Sequence, residues 1–137
     1  MDLRKKFGTS RELEQDGVEL HLGADAYITL ARSGGSNVRF EKATARAYQQ
    51  HRRAFESSTM DTKKSVELMQ EIYAETVILG WRGIELDGEP LPYSRENAAK
   101  LMRELPDLWS IVQDESKKLA NFQQEEVAEL GKASPTH

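Results

Sequence analysis

The sequence predicts a mainly α protein, a single small domain of about four helices with an N-terminal β-hairpin. Between Val66 and Phe122, apolar residues recur at three- and four-residue spacing, which is typical of amphipathic helices. Between Val18 and Leu22, apolar and polar residues alternate, which is typical of a strand. A chain of 137 residues can build one hydrophobic core. We predict a flexible segment at residues 1–15, one helical domain at 16–130 and a disordered tail at 131–137.

The chain begins with a charged segment that is followed by the hairpin. Residues 1–15 offer few apolar side chains for burial, so we assign them no secondary structure. Glu19 and His21 then alternate with apolar residues, and Gly23–Asp25 supplies a turn before a second β-rich run. We therefore place a hairpin at residues 17–31. Because an isolated hairpin is only marginally stable, it has to pack on the helices or on another copy of the chain.

A helix is predicted from Val38 to Phe55, after a break that is rich in glycine, serine and asparagine. Basic side chains near positions i, i+3, i+7 and i+14 form one stripe along it. This basic stripe consists of Arg39, Lys42, Arg46 and Arg53. Two interpretations of this stripe are open. It is either a solvated face without further function, as most charged helix faces are, or a surface that docks onto an acidic partner.

The central helix is predicted to run from Val66 to Leu79 and to end at Gly80. Its polar face carries carboxylates at four-residue spacing, so they form a single line along the helix. This acidic stripe consists of Glu67, Glu71 and Glu75. The two stripes are complementary in charge, which favours head-to-tail contact between copies of the chain.

The segment from Arg82 to Tyr93 is predicted to be an irregular loop. Asp87-Gly88 indicates a tight turn within it, and Pro90 and Pro92 argue against regular backbone pairing.

Ser94 is a suitable N-cap for a short helix, and Pro106 can begin a longer helix that continues past Phe122 and frays near Gly131. Trp81 and Trp109 lie beside predicted helix ends. Each of them either caps the core or contacts a partner.

Charge is distributed unevenly along the chain. Residues 31–64 contain eight basic and three acidic side chains, whereas residues 65–130 contain six basic and fourteen acidic ones. The formal net charge of −4 argues against a general nucleic-acid binder, because the acidic half would repel phosphate. No apolar run is long enough for a membrane span, and the charged N-terminus does not resemble a secretion signal.

The residue types and spacings that enzymes and metal sites require are missing. Cysteine is absent, and His21, His51 and His137 are far apart in the sequence. The turn at Asp87-Gly88 fails as a calcium loop, because Ser94 occupies the position that needs a bidentate glutamate. We therefore predict a protein that is not an enzyme and needs no metal or other cofactor.

A set of short motifs resembles one protein family. In order, these motifs are Tyr73-Ala-Glu-Thr-Val-Ile-Leu-Gly-Trp81, an acidic glycine turn, Pro92-Tyr93-Ser94-Arg-Glu-Asn-Ala-Ala, Leu-Pro106-Asp107-Leu108 and Ala120-Asn121-Phe122. Their order and spacing resemble those of the tail assembly chaperones of lambda-like bacteriophages and prophages, whose tails are long and non-contractile. The resemblance is strongest over residues 65–122 and extends to the strand pair and the helix start at Asn37-Val-Arg-Phe40.

The resemblance implies a mostly helical protein of the bacterial host cytoplasm that is absent from the mature virion. Its implied partners are the tape measure protein, which it coats, the major tail tube protein, whose subunits it helps to recruit, and further copies of itself in rings or spirals. It implies neither a membrane nor a nucleic-acid partner. Recruitment of tube subunits is implied mainly for a longer form made by ribosomal frameshifting, and Leu130-Gly131-Lys132 can be encoded by a slippery heptamer.

An alternative function is that of a small DNA-binding regulatory protein that uses the basic helix at residues 38–55. A salt-dependent shift of duplex DNA would favour this alternative. Co-purification with a long coiled-coil protein would favour the chaperone.

Overall fold

The computed structural model describes residues 1–123, which form a mixed α/β fold. A three-stranded antiparallel sheet packs against the helices, and a two-stranded hairpin lies beside them. The described residues form, in chain order, α1 (Leu3–Phe7), α2 (Arg11–Asp16), β1 (Val18–Gly23), β2 (Ala26–Leu30), α3 (Val38–Gln50), α4 (Arg52–Glu56), α5 (Thr62–Thr76), β3 (Ile78–Arg82), β4 (Glu85–Leu86), β5 (Glu89–Pro90), α6 (Arg95–Glu104), α7 (Pro106–Glu115) and a 3-10 helix (Leu119–Phe122).

The prediction of a mainly α fold with one hairpin is wrong, because the chain makes a third strand immediately after α5. The hairpin of β1 and β2 is present as predicted, with Leu20 opposite Ile28. Strand β3 then pairs with the other edge of β2, where Trp81 lies opposite Ile28 and Gly80 opposite Thr29. A run such as Val77-Ile-Leu fits a helix or a strand equally well in sequence. The free edge of β2 decides the outcome, since pairing there satisfies the backbone polar groups.

The prediction of an irregular loop is also wrong for residues 85–90, which form the β4–β5 hairpin. Asp87 and Gly88 have φ values of 54° and 83°, as the two central residues of a type I′ turn require. Pro90 is tolerated because it lies at the end of a two-stranded ribbon, where one strand edge needs no donor.

The predicted starts of the last two helices are confirmed. Ser94 Oγ accepts a hydrogen bond from the Asn97 amide at 3.0 Å, and Pro106 is the first residue of α7. The predicted length of α7 is wrong, since the helix ends at Glu115. Ser116 is fully buried there, and its carbonyl accepts a hydrogen bond from the Ser33 amide at 3.0 Å. The predicted tail at residues 131–137 and the region of predicted fraying lie outside the described residues.

Two short helices occupy the N-terminal segment, to which the sequence assigned no structure. Their first turns are capped by the side chains of Asp2 and Ser10. The Ser10 amide also donates to the Phe122 carbonyl at 2.7 Å, which joins the beginning of the domain to its far end. Gln123 Nε2 also lies 3.0 Å from the Lys6 and Gly8 carbonyl oxygens, and composition does not reveal long-range bonds of this kind.

The core lies between the sheet and helices α5, α6 and α7. It contains Ile28, Leu30, Tyr73, Ala74, Val77, Ile78, Ala98, Ala99, Met102 and Val112. The spacing of apolar residues in the predicted helices also assigns Tyr48, Phe55, Val66, Leu105 and Ile111 to inward faces, but these side chains are exposed. Tyr48 and Phe55 stack on each other with ring centroids 5.7 Å apart, and the end of α3 at Gln50 and the start of α4 at Arg52 lie between them in the chain.

Candidate partner-binding surfaces

The basic stripe on α3 and the acidic stripe on α5 are neighbours in the same chain. Arg46 Nη2 lies 3.1 Å from Glu75 Oε2, and Arg95 of α6 lies 3.3 Å from the other oxygen of the same carboxylate. Glu71 lies 3.4 Å from Arg103 of α6. Part of the charge complementarity that the sequence suggested between copies is therefore satisfied within one chain.

The remaining members of the two stripes make no ion pair with any of residues 1–123. Arg39 donates a hydrogen bond to the Gln15 carbonyl at 3.1 Å, whereas Lys42, Arg53 and Glu67 are exposed and have no oppositely charged partner there. Lys42, Arg53 and Glu67 therefore keep their charges unpaired within residues 1–123, while Arg46 and Glu71 are paired but also exposed.

Trp109 lies on α7, where it contributes both to the core and to a surface groove. Its ring meets the buried Tyr73 edge to face, with centroids 4.9 Å apart, and the side chain stays partly exposed. The groove runs between the start of α5 and α7 and has a volume of about 390 Å³. It is lined by Met60, Thr62, Ser65, Val66, Met69, Trp109 and Gln113, and we call it the methionine groove.

Trp81 lies in β3 and fixes the segment that follows the β4–β5 hairpin. Its Nε1 donates to the Leu91 carbonyl at 2.8 Å, and its ring meets Tyr93 edge to face at 5.1 Å. The Tyr93 hydroxyl in turn donates to the Ile78 carbonyl at 2.8 Å, and partial burial raises the pKa of this hydroxyl against an opposing effect of Arg39. Trp81 also lines a surface depression of about 380 Å³. Both tryptophans thus combine a structural contact with an accessible face.

The outer face of the three-stranded sheet carries a polar cluster that the sequence did not reveal. Arg82 makes two hydrogen bonds of 3.0 Å to the Glu19 carboxylate, which lowers the pKa of Glu19 and raises that of Arg82. The Arg82 guanidinium lies 3.8 Å from the centre of the Tyr27 ring, and His21 stacks on that ring at 4.5 Å. The alternation in β1 was the available signal, but the position of Arg82 depends on β3, which was missed.

Glu14 is the buried charged side chain of the N-terminal region, and it holds the turn after β2. It pairs with Arg32 and accepts a hydrogen bond from the Ser36 amide at 3.1 Å. Burial opposes ionisation, but the hydrogen bonds from Arg32, Ser36 and Thr9 together lower the pKa of Glu14. Because the Glu14 side chain is only 2% exposed and is bonded to Arg32 and Ser36 of the same chain, this cluster has a structural role.

Residues 1–123 contain no group of three or more histidine, aspartate or glutamate side chains that could hold a metal ion, and no helix that is both long and apolar enough to cross a bilayer. The surfaces that stand out are instead apolar or charged areas suited to protein contact. The prediction that the chain is not an enzyme stays a prediction.

These observations define a small mixed α/β protein with grooves and charged side chains open to a partner. A family model described as "YdaY prophage protein" matches residues 35–133, which is well over half of the chain. The chain belongs to the YdaY prophage protein family. No curated protein and no solved structure matches it. The family description establishes a phage association, while tail assembly, the tape measure partner and frameshifting stay predictions.

Proposed function

We propose that this protein is a tail assembly chaperone, which coats the tape measure protein in the host cytoplasm, helps to recruit subunits of the major tail tube protein, and is absent from the mature virion. Membership of a prophage family is consistent with this role. The ordered resemblance over residues 65–122 supports it further, because that stretch forms α5, β3, α6 and α7 around one core.

The methionine groove is the observation that carries the proposal. Met60 and Met69 have flexible, polarisable side chains that adapt to different apolar partners. Trp109 supplies a large ring of the kind that anchors protein interfaces. Thr62, Ser65 and Gln113 add hydrogen-bonding groups at the same groove. A groove lined by both apolar and polar side chains suits one face of an amphipathic helix.

A tape measure protein that is a long helical coiled coil would present such a face repeatedly along its length. Many copies of a small chain could then bind in series, each through its own groove. Adaptable methionine contacts are appropriate here, because successive binding segments on one long helix differ in sequence.

A matched pair of substitutions tests the role of the groove. Val66 lines the groove and is 38% exposed, whereas Ile111 is 44% exposed and is not among the residues that line it. In Val66→Glu the new carboxylate would have to be buried against the partner without a counter-charge. We expect co-expression with the tape measure protein of the same prophage to give a complex with the wild type and with Ile111→Glu, and about tenfold less with Val66→Glu. Equal recovery with both variants would remove the groove from the proposal.

Recruitment of tail tube subunits is proposed mainly for a longer product that shares the described domain. Leu130-Gly131-Lys132 lies within the family match and outside the described residues. Mass spectrometry of the proteins expressed from the prophage should find peptides that continue past this point in a second reading frame. A tube subunit that binds the short form as strongly as the long form would contradict this assignment.

The DNA-binding alternative has less support, so we propose no nucleic-acid partner. Arg46 pairs with Glu75, Arg39 bonds to Gln15, and the predicted continuous helix is interrupted at His51. A salt-dependent mobility shift with duplex DNA that is lost in Lys42→Glu/Arg53→Glu would reverse this preference.

A further inference from the structure

Strand β1 is an open edge of the three-stranded sheet. Within residues 1–123 the strand order is β1-β2-β3, so β1 has a neighbouring strand on one side only. Among residues 1–123, no group outside β2 hydrogen bonds to the main chain of Val18–Gly23, apart from contacts within the strand and its own turn. The opposite edge differs, because the Tyr93 hydroxyl occupies the Ile78 carbonyl of β3.

The open edge carries two features that discourage strand pairing, the charge of Glu19 and the irregularity between His21 and Gly23, but it lacks others. Exposed edges are commonly protected by lysine, by proline or by a covering loop. Residues 18–23 contain neither lysine nor proline. The register shifts between His21 and Gly23, so Leu22 has no partner across on β2, and its side chain is 38% exposed.

The sequence of β1 is complementary to itself when it is read in the opposite direction. We propose that β1 pairs antiparallel with β1 of a second copy, with Leu20 on the two-fold axis, to give a continuous six-stranded sheet. This register places Val18 opposite Leu22 of the second copy and Leu20 opposite its own counterpart. The apolar row of each strand is thereby extended, and Leu22 gains the cross-strand neighbour that β2 does not provide.

The polar row is matched in the same register. Glu19 lies opposite His21 of the second copy, and the symmetry repeats this contact, so two carboxylate–imidazole pairs form. The other polar side chains on this face include Arg82, which bonds to Glu19, Tyr27, on which His21 stacks, and Thr29, which lies opposite Glu19. His21 Nε2 also lies 2.7 Å from the Ala24 carbonyl oxygen. Moving the axis to Glu19 would oppose two carboxylates, and a shift of one residue would mix the apolar and polar faces.

This contact goes beyond the proposed function, since it uses neither the methionine groove nor the charged stripes. It is isologous and closes as a dimer, whereas contact between unlike patches can propagate. The dimer can therefore exist whether or not the chain binds a tape measure protein.

Two substitutions of one exposed residue test the pairing in the full chain. In His21→Glu, each Glu19 would face a carboxylate, whereas in His21→Lys it would face an ammonium group. We expect the wild type and His21→Lys to sediment as dimers. The His21→Glu dimer should already dissociate at a protein concentration about fivefold or more higher than the wild-type dimer does. Circular dichroism should show the same fold for all three proteins. A monomeric wild type, or identical dimerisation of the two variants, would overturn the proposal.

A cross-linking experiment tests the register itself. The natural chain has no cysteine, so an introduced cysteine can form a disulfide only with the same cysteine of another copy. Leu20→Cys should form a disulfide dimer under mild oxidation because its counterpart lies directly opposite. Glu19→Cys should not form a disulfide dimer. In this register Glu19 lies opposite His21 of the second copy, so the two introduced cysteines would be two residues apart along the strand direction. Equal cross-linking of the two variants would exclude the register centred on Leu20. Val66→Glu should dimerise like the wild type, so failure of the groove and failure of this pairing are distinguishable.

Discussion

Ile72 illustrates how one buried side chain joins two layers of helices. It lies on α5 and is 6% exposed, in a small cluster with Ala43 and Ala47 of α3. Ile72 is one of the apolar residues at three- and four-residue spacing after Val66, which predicts its burial, and the structure confirms it. The alanines leave room for Ile72 but offer no hydrogen bond to a charge in its place.

We expect Ile72→Asp to reduce the free energy of unfolding by about 3–5 kcal/mol, because an unpaired carboxylate would replace an apolar side chain. Ile111→Asp, at an exposed position on α7, should cost less than about 1 kcal/mol. Urea unfolding of the two variants measures both effects. A similar loss for both would mean that α3 and α5 do not pack through Ile72.

Glu14 predicts a dependence of stability on pH. Its pKa is lowered in the folded chain, so its contribution to stability is fully present above the pKa of the unfolded chain and is lost as pH falls through the folded pKa. We expect Glu14→Gln to destabilise the protein by about 1–3 kcal/mol at neutral pH. The difference from the wild type should begin to shrink as pH falls below the ordinary pKa of about 4.5, and it should continue to shrink as pH falls through the lower folded pKa. A constant difference from pH 7 to pH 3 would show that Glu14 is not held as an anion.

At the scale of elements, local signals predicted the strands and helices whose ends are determined by their own residues. Val18–Leu22 alternates, Ser94 caps α6, and Pro106 begins α7, so these elements were recovered. Strand β3 was missed because its residues are equally suited to a helix, and only the edge of β2 makes them a strand. For the same reason, the contact between Arg82 and Glu19 could not be predicted.

The β4–β5 hairpin was missed although it carried a local signal, since Asp-Gly between two short runs is typical of a type I′ turn. Gly88 has a φ of 83°, whereas Gly80 in β3 does not have a positive φ. An added Cβ would meet nothing within 4 Å at either position, so the two glycines differ in backbone conformation and not in the space around them. Gly88→Ala should therefore cost about 1 kcal/mol of unfolding free energy, and Gly80→Ala should be neutral or slightly stabilising. Thermal melts of the two variants report the difference. Equal melting temperatures would contradict the assigned turn.

At the scale of the whole molecule, the charge segregation seen in the sequence is only partly available for assembly. The tertiary fold brings α3, α5 and α6 together, so Arg46, Arg95 and Arg103 neutralise two members of the acidic stripe. The sequence indicated the stripes but could not show that they are neighbours. It also indicated Trp109, whereas the groove beside it depends on how α5 and α7 pack.

The accessible charges still predict a head-to-tail contact, in which Lys42 and Arg53 of one copy approach Glu67 of the next. Exposed pairs contribute about 0–1 kcal/mol each, so salt should weaken this association without abolishing it. Lys42→Glu/Arg53→Glu should reduce species larger than a dimer in sedimentation velocity, and adding Glu67→Lys should partly restore them. If the double substitution leaves the distribution unchanged, these side chains form only a solvated face.

The stoichiometry of the complex with the tape measure protein tests the central claim most directly. The wild-type chain and the tape measure protein of the same prophage would be co-expressed, and the mass of the purified complex would be measured by light scattering. We predict a complex in which many 15.5 kDa chains bind one tape measure protein, and Val66→Glu should remove most of them. A tape measure protein that purifies without this chain, or with a single copy that Val66→Glu does not displace, would contradict the proposed coating function.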